Sequence, residues 1–243
     1  MTRVGDHPVP AGPLAVRWHA VDMPPVEAGA LADVHVELEN AGGALWRDLK
    51  LSYHWLDERG NPIVWDGIRT PVAAAAGERV AVTTQVRGPI PPGTYRLAFD
   101  LVDENRFWLA ELGNHTPTFD VAVAPRDART ARAYVPNGIV VAPDWEERVY
   151  VAHTEGYAAV GGSIAYDGGR LRRAPDELAP YAPGGGGNPA FEHPLICPSL
   201  LPPLAPNAEL LGLPAWRPEG DEPWVYDARI ALTLRPRSDR RRA

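Results

Sequence analysis

A strict alternation of apolar and polar side chains along residues 31–39 constrains the fold of this chain more than any other feature. Val34, Val36 and Leu38 share one face, and acidic residues and a histidine take the positions between them. Such a period of two is typical of an antiparallel strand that buries one face. Similar stripes occur at residues 49–57, 80–86, 95–101 and 119–123, with weaker ones at 14–21 and 62–68. We therefore predict a succession of short strands over the first half of the chain.

The number of strands predicts a sandwich or a barrel for residues 1–124. Both folds are typical of about seven or eight short strands in roughly 110 residues, separated by turns rich in glycine and proline. Two aromatic residues favour a sandwich of the immunoglobulin-like type. Trp55 ends an inward stripe in the third strand, and Tyr95 begins a late strand after a Pro-Gly-Thr turn, as in a tyrosine corner. We predict an all-β chain that opens with an immunoglobulin-like β-sandwich.

The second half of the chain, residues 125–243, has a different pattern. The chain holds 23 glycines and 27 prolines, and in this half they interrupt almost every segment. Proline- and glycine-rich runs predict a long irregular stretch at residues 171–223, which is unusual inside a compact domain. We predict two domains, 1–124 and 125–243, the second β-rich and Pro/Gly-rich. Its strand-like segments are residues 138–142, 148–153, 158–165 and 224–234.

Charge and cysteine content exclude several classes of function. A net charge of −7 leaves no basic surface, so we expect no nucleic-acid partner. The single cysteine excludes an intrachain disulfide and any multi-cysteine metal site. No apolar run has the length of a signal-peptide core or a membrane span, which predicts a cytoplasmic protein.

The sequence lacks the motifs of common catalytic sites. The four glycines at 184–187 have no GK[ST] after them, and no serine lies in a GxSxG elbow. The histidines are dispersed without metal-ligand spacing, and we expect His35 and His54 on the solvated sides of their strands. The adjacent Asp103 and Glu104 fall in a predicted turn, whereas glycosidase carboxylates come from separated strands. We therefore predict no catalytic residue, no metal and no cofactor.

Aromatic residues beside polar ones are the most suggestive feature of the first half. Trp65 precedes Asp66, and Phe107 and Trp108 follow the polar run at residues 103–106. A flat indole face beside carboxylate, amide or guanidinium groups suits the apolar face and the hydroxyls of a sugar. The candidate ligand-binding residues are Trp65, Asp66, Arg69, Asn105 and Trp108.

An ordered series of fragments runs through residues 14–124. The series consists of Val36-Glu37-Leu38-Glu39-Asn40, Trp46, Leu51-Ser52-Tyr53-His54-Trp55, Asp66-Gly67, Arg69-Thr70-Pro71, Pro92-Gly93-Thr94-Tyr95-Arg96-Leu97, Asp100-Leu101-Val102 and Phe107-Trp108. It resembles a bacterial immunoglobulin-like module that accompanies glycosyltransferases and other enzymes of surface polysaccharides. More distantly, it is similar to the polysaccharide-binding domain of O-antigen ABC transporters.

The resemblance implies a non-catalytic carbohydrate-binding or accessory protein in the assembly of bacterial surface polysaccharide. Its partner would be a glycan or a glycosyltransferase, and no oligomeric state is implied. Two alternatives stay open. The chain could be a protein-protein docking module that uses a sheet edge or the stretch at 171–223. It could also be an enzyme of unrecognised type that uses Cys197 or His193, which lie four residues apart.

Overall fold

A computed structural model of the chain describes residues 1–166, 194–210 and 212–234. The chain divides into two compact units, Met1–Ala124 and Pro125–Ala243. The prediction of an all-β chain that begins with an immunoglobulin-like β-sandwich is confirmed.

Two sheets make up the N-terminal unit. Their strands are β1 (Thr2–Arg3), β2 (Val16–Asp22), β3 (Val26–Glu27), β4 (Leu31–Asn40), β5 (Leu49–Leu56), β6 (Pro62–Val64), β7 (Thr70–Pro71), β8 (Arg79–Arg87), β9 (Gly93–Asp103), β10 (Phe107–Trp108) and β11 (Thr118–Ala124). One sheet has the strand order β1-β2-β4-β8, and the other has the order β3-β11-β9-β5-β6, with β10 beside β9 and β7 beside β5. A 3₁₀ helix, Leu109–Leu112, follows β10.

The inward stripes of the two sheets form one apolar core. The alternating residues of β4 meet those of β5 and β9, because a period of two places every second side chain on the same face. Burial of each large ring contributes about 2–3 kcal/mol to folding. The largest fully buried side chains of this core include Trp18, Trp46, Trp55, Tyr53 and Phe99.

The two aromatic residues that favoured the sandwich lie where the fold requires them. Trp55 is buried, and its indole N–H donates to the Arg87 carbonyl across the core at 2.8 Å. The Tyr95 hydroxyl donates to the Pro91 carbonyl, four residues upstream, at 2.6 Å. This bond is the defining feature of a tyrosine corner, which ties the start of a strand to the preceding turn.

In its described part, the C-terminal unit combines two smaller sheets with one helix. Their strand orders are β12-β16-β14-β19-β13 and β15-β18-β17. Ala159, Leu200 and Trp224 belong to its buried apolar cluster. The elements are β12 (Arg132–Ala133), β13 (Ile139–Val141), α1 (Trp145–Glu155), β14 (Ala159–Tyr166), β15 (Leu195–Ile196), β16 (Ser199–Leu200), β17 (Ala208–Leu210), β18 (Leu213–Trp216) and β19 (Trp224–Leu234).

The prediction of a strand at residues 148–153 is wrong, because this segment lies within α1. Trp145, Val149 and Ala152 are buried at helical spacing, and the helix packs them against the sheet. Two local features also stabilise it. Acidic residues occupy its first turn, and Arg148 pairs with Asp144 one turn earlier at 2.5 Å. Within the described part of the chain, no helix has the length and apolar character that crossing a lipid bilayer requires.

The stretch at 171–223, expected to be irregular, contains ordered strands where the structure describes it. Its described residues include β15, β16, β17 and β18, each only two to four residues long. Such short strands carry no readable alternation, and prolines separate them. The tetraglycine at 184–187 lies outside the described residues.

Candidate functional site

One end of the seven-stranded sheet is covered on the face that points away from the core. Strand β5 places Ser52 and His54 on this face, yet both are buried, and His54 is only 3% exposed. The expectation that His54 faces solvent is therefore wrong. His54 packs against Trp65, which follows β6, and Trp108 of β10.

The loop that carries Trp65 is held against β5 by a close backbone approach. The Gly67 N–H donates to the Tyr53 carbonyl at 3.1 Å. A Cβ atom at position 67 would lie 2.6 Å from that carbonyl oxygen and 2.7 Å from the Tyr53 ring. Only glycine allows this approach without a shift of the loop.

His54 is locked beneath the two tryptophans as a neutral imidazole. Its Nδ1 contacts the Trp65 carbonyl, which can only accept a hydrogen bond, so Nδ1 carries the proton. Burial lowers the pKa of His54, and the nearby Arg69 charge lowers it further, while the bond to Trp65 acts in the opposite direction. Its Nε2 is buried without a hydrogen-bond partner among the described residues.

Trp65 offers one open face. The His54 ring is stacked on it at 4.0 Å between centroids with planes 21° apart, and therefore covers the inner face. The Trp108 ring meets it edge to face at 6.1 Å and 72°. Trp65 is nevertheless 50% exposed. Its outer face is thus a flat apolar surface with a fixed orientation.

Arg69 packs against the ring of Trp108, the second tryptophan of the cluster. Its guanidinium lies 4.7 Å from the centre of the Trp108 ring, within the range of a cation–π contact. One terminal nitrogen donates to the Ser52 hydroxyl at 2.6 Å and to the Gly67 carbonyl at 2.8 Å. Because Ser52 belongs to β5, these bonds fix the guanidinium on the covered face of the sheet.

Four charged side chains near the rings form a row of ion pairs in which positive and negative charges alternate. Their order is Lys50, Glu104, Arg69 and Asp66. Arg69 pairs with Asp66 at 2.7 Å and contacts Glu104 at 3.5 Å, and Lys50 pairs with Glu104 at 3.0 Å. The hydrogen bond from Lys50 is the main cause that lowers the pKa of Glu104. The Glu104 carboxylate therefore stays ionised at neutral pH, and it pairs with both cations.

The structure brings four of the five sequence-predicted residues together. Trp65, Asp66, Arg69 and Trp108 form one cluster, and we call them, with the underlying His54, the aromatic platform. Asn105 is exposed in the turn between β9 and β10 with a φ of 60°. In the part of the chain that the structure describes, the Asn105 side chain makes no hydrogen bond or ring contact with the other four residues.

Sequence reasoning missed His54, Ser52, Lys50 and Glu104. The first three occupy the polar stripe of β5, and that stripe predicted solvent contact. The signal that could have found them is a histidine and a serine on a strand that is followed by two tryptophan-bearing turns. Glu104 lies in the turn where it was predicted, and its carboxylate, 38% exposed, is shared between two cations.

A groove of about 810 Å³ lies elsewhere in this unit, along β1 and β2. Much of its charge is paired internally: Arg79 with Glu37, and the Met1 amino group with Asp22. It contains none of the sequence-predicted site residues. Its lining residues include Arg3, His7, Arg17, Trp18 and His19.

Of the two residues named for the enzyme alternative, the structure describes Cys197. Cys197 is buried, and burial raises the pKa of its thiol to about 11, so it is protonated at neutral pH. His193 lies outside the described residues. His153 does contact the Ser199 hydroxyl at 2.9 Å, but both side chains are buried within the unit. A substrate has no access to that pair, which instead ties α1 to β16.

Comparison with known proteins gives similarities to solved structures alone. No protein-family model matches the chain, and no curated protein matches it. The CARDB domain of a Pyrococcus furiosus protein, solved in complex with di-metal ions, is 25% identical, with a TM-score of 0.30 over 42% of this chain and 87% of that one. Its solution structure is 24% identical, with a TM-score of 0.30 over 42% and 89%.

A second group of similar structures consists of much longer enzymes. A β-glucosidase from Listeria innocua in complex with glucose is 17% identical, with a TM-score of 0.31. The similarity covers 44% of this chain and 15% of the enzyme.

Proposed function

We propose that the N-terminal immunoglobulin-like domain binds a carbohydrate on the aromatic platform and that the protein is a non-catalytic accessory protein. The observation that carries the proposal is the open outer face of Trp65 beside the Asp66 carboxylate, which is 72% exposed. A pyranose ring has an apolar face that stacks on an indole and hydroxyls that donate to a carboxylate.

The rigidity of the platform supports binding of a ligand. His54 and Trp108 hold Trp65 in one orientation before any ligand arrives, so little side-chain entropy is lost on binding. A large exposed ring beside fixed polar groups is also costly to hydrate unless a partner covers it. The eight tryptophans of the chain are otherwise mostly core residues, which makes Trp65 distinctive.

The carboxylates support binding rather than bond cleavage. A glycosidase needs one carboxylic acid with a raised pKa to protonate the leaving oxygen. The pKa of Glu104 is lowered instead, first by the Lys50 hydrogen bond and then by Arg69. Asp66 is held by Arg69 through a direct ion pair.

The sequence resemblance supplies the proposed context. We place the protein in the assembly of bacterial surface polysaccharide, in the cytoplasm, with a glycan or a glycosyltransferase as its partner. A search for co-purifying glycosyltransferases tests this part of the proposal separately from sugar binding.

Replacing Trp65 tests the binding surface. Trp65→Ala should weaken binding to glycans identified on an array by about tenfold or more, and Trp65→Phe should retain part of the affinity, because a smaller ring still stacks. Isothermal titration calorimetry gives the affinities, and thermal melting checks that each variant is folded. Tyr150→Ala, at an exposed aromatic residue of α1, is the matched control and should bind like the parent chain. Unchanged affinity in a folded Trp65→Ala variant would remove the platform from the proposal.

Docking to a protein is the second candidate function, and the edge of the same sheet favours it. Strand β6 ends the seven-stranded order, and its Ile63 is 44% exposed next to the platform in sequence. An unpaired edge with an apolar side chain can accept a strand from a partner. A co-purified partner that is lost on Ile63→Asp, with no glycan signal on the array, would favour docking over sugar binding.

A further inference from the structure

Resting on the proposed carbohydrate-binding function, we infer that the aromatic platform selects uncharged glycans and rejects those that carry carboxylate, sulfate or phosphate groups. The cations near Trp65 are already paired, and the charge that is open to a ligand is a carboxylate.

The cation nearest the platform has little left to offer an anion. Three of the five guanidinium N–H groups of Arg69 donate to Ser52, Gly67 and Asp66, and a fourth points towards Glu104. Its face rests on Trp108. The side chain is 22% exposed, so a sugar carboxylate would have to displace existing bonds to reach it.

The second cation, Lys50, pairs with the same carboxylate. Lys50 donates to Glu104 at 3.0 Å, and Glu104 also accepts from Arg69, so this carboxylate bridges both cations. The imidazole beneath Trp65 adds no positive charge, because burial lowers the pKa of His54 and the ring stays neutral. No basic group that could recognise an anionic sugar is therefore left uncompensated among the described platform residues.

The most accessible charge at the platform is an anion. Asp66 follows Trp65 in the chain, and among the described residues only its Oδ1 accepts a hydrogen bond, from Arg69. The remaining lone pairs can accept hydrogen bonds from the hydroxyls of a sugar that stacks on Trp65. The same carboxylate repels an acidic sugar held on the same ring. A glycan that fits is thus rich in hydroxyls and without negative charge.

Matched pairs of oligosaccharides test the inference. Gluco-, galacto- and manno-oligosaccharides differ from the corresponding oligo-uronates only by a hydroxymethyl group in place of a carboxylate. We expect at least one neutral series to bind the full chain. The corresponding uronate should bind with an affinity lower by about tenfold or more. Calorimetry at low and high salt adds a second readout, because screening should improve the binding of the uronate but not of the neutral sugar.

Asp66→Asn identifies the group responsible. This variant should narrow the difference between neutral and acidic sugars to about threefold or less, because the repelling charge is gone. Asp33→Asn, at an exposed residue of β4 in the other sheet, is the control and should keep the full difference.

The possible outcomes separate the two proposals. Uronates that bind as tightly as their neutral counterparts, or that weaken as salt rises, overturn the selectivity while leaving carbohydrate binding intact. A preference for neutral sugars that survives Asp66→Asn also overturns the selectivity as argued. Binding of neither series, with a folded chain, overturns the proposed function and the selectivity together.

Discussion

Asp100 is a buried carboxylic acid on the outward face of the seven-stranded sheet. It lies on the covered face of β9, opposite Ser52, and is 1% exposed. Its two oxygens accept hydrogen bonds from the Leu101 N–H at 2.7 Å and the Ala110 N–H at 3.3 Å, which ties the 3₁₀ helix to the sheet. Burial raises the pKa of Asp100 to about 7, and the two N–H donors only partly oppose it.

This pKa predicts a pH-dependent contribution to stability. The folded state holds the Asp100 proton more tightly than the unfolded state, so the contribution is complete below about pH 3.8 and is lost as pH rises through about 7. Relative to Asp100→Asn, the free energy of unfolding of the parent chain should fall by up to about 4 kcal/mol between pH 4 and pH 8. Urea unfolding of both proteins at several pH values measures this difference.

The difference between the two proteins isolates Asp100, because histidines and other carboxylates titrate alike in both. Asp120→Asn, at a largely exposed residue of β11, is the control and should stay parallel to the parent chain at every pH. A constant difference between the parent chain and Asp100→Asn would contradict the raised pKa.

The sequence of strand β5 predicts the environment of one of its faces but not of the other. Its inward residues Leu51, Tyr53 and Trp55 follow the alternation and reach the core as expected. The outward residues were predicted to be solvated, because alternation reports only that one face is more polar than the other. The loop after β6 and the turn before the 3₁₀ helix then cover that face. The sequence of β5 does not contain this information.

The covering loop depends on the close approach at Gly67. Gly67→Ala should destabilise the chain by about 1–3 kcal/mol, because the added Cβ meets the Tyr53 backbone and the loop must shift. The shift also displaces Trp65, so glycan affinity should fall with stability. Thermal or urea unfolding and calorimetry measure the two effects.

Gly43→Ala provides the matched glycine control, since an added Cβ there has no neighbour within 4 Å. Its stability should stay within about 0.5 kcal/mol of the parent chain. Equal behaviour of the two alanine variants would show that the loop tolerates a side chain at position 67 and that the approach is not restrictive.

Part of helix α1 was wrongly predicted to be a strand. Residues 148–153 hold several β-branched and aromatic residues, which suggest a strand when taken alone. A longer window, from Trp145 to Ala152, shows apolar residues at helical spacing, with acidic residues at the start and Gly156 after the end. The six-residue window was too short to distinguish the two periods.

At the scale of the whole molecule, the N-terminal unit has a complete core of its own. Every member of its apolar cluster, from Val16 to Val123, lies within Met1–Ala124, and so do all strands of its two sheets. A unit of this size with a closed core is large enough to fold independently.

Residues 1–124 expressed alone should therefore fold and bind the same glycan as the full chain. We expect a single cooperative thermal transition and an affinity within about twofold of the parent chain. Circular dichroism and calorimetry provide the two measurements. A non-cooperative melt would show that the sandwich needs residues 125–243, and a folded fragment without glycan affinity would place the binding surface elsewhere.

The order of the amino acids was sufficient to predict the longer strands of the sandwich, the buried Trp55, the tyrosine corner at Tyr95 and four of the five platform residues. These features depend on local periodicity and on short turn motifs, which neighbouring residues encode. Tertiary packing was needed to show that His54 and Asp100 are buried and that one face of Trp65 stays open. It was also needed to show that Arg69 donates its hydrogen bonds to Ser52 and Gly67. Those properties arise where distant segments come together, and no local pattern records which face of a strand another segment will cover.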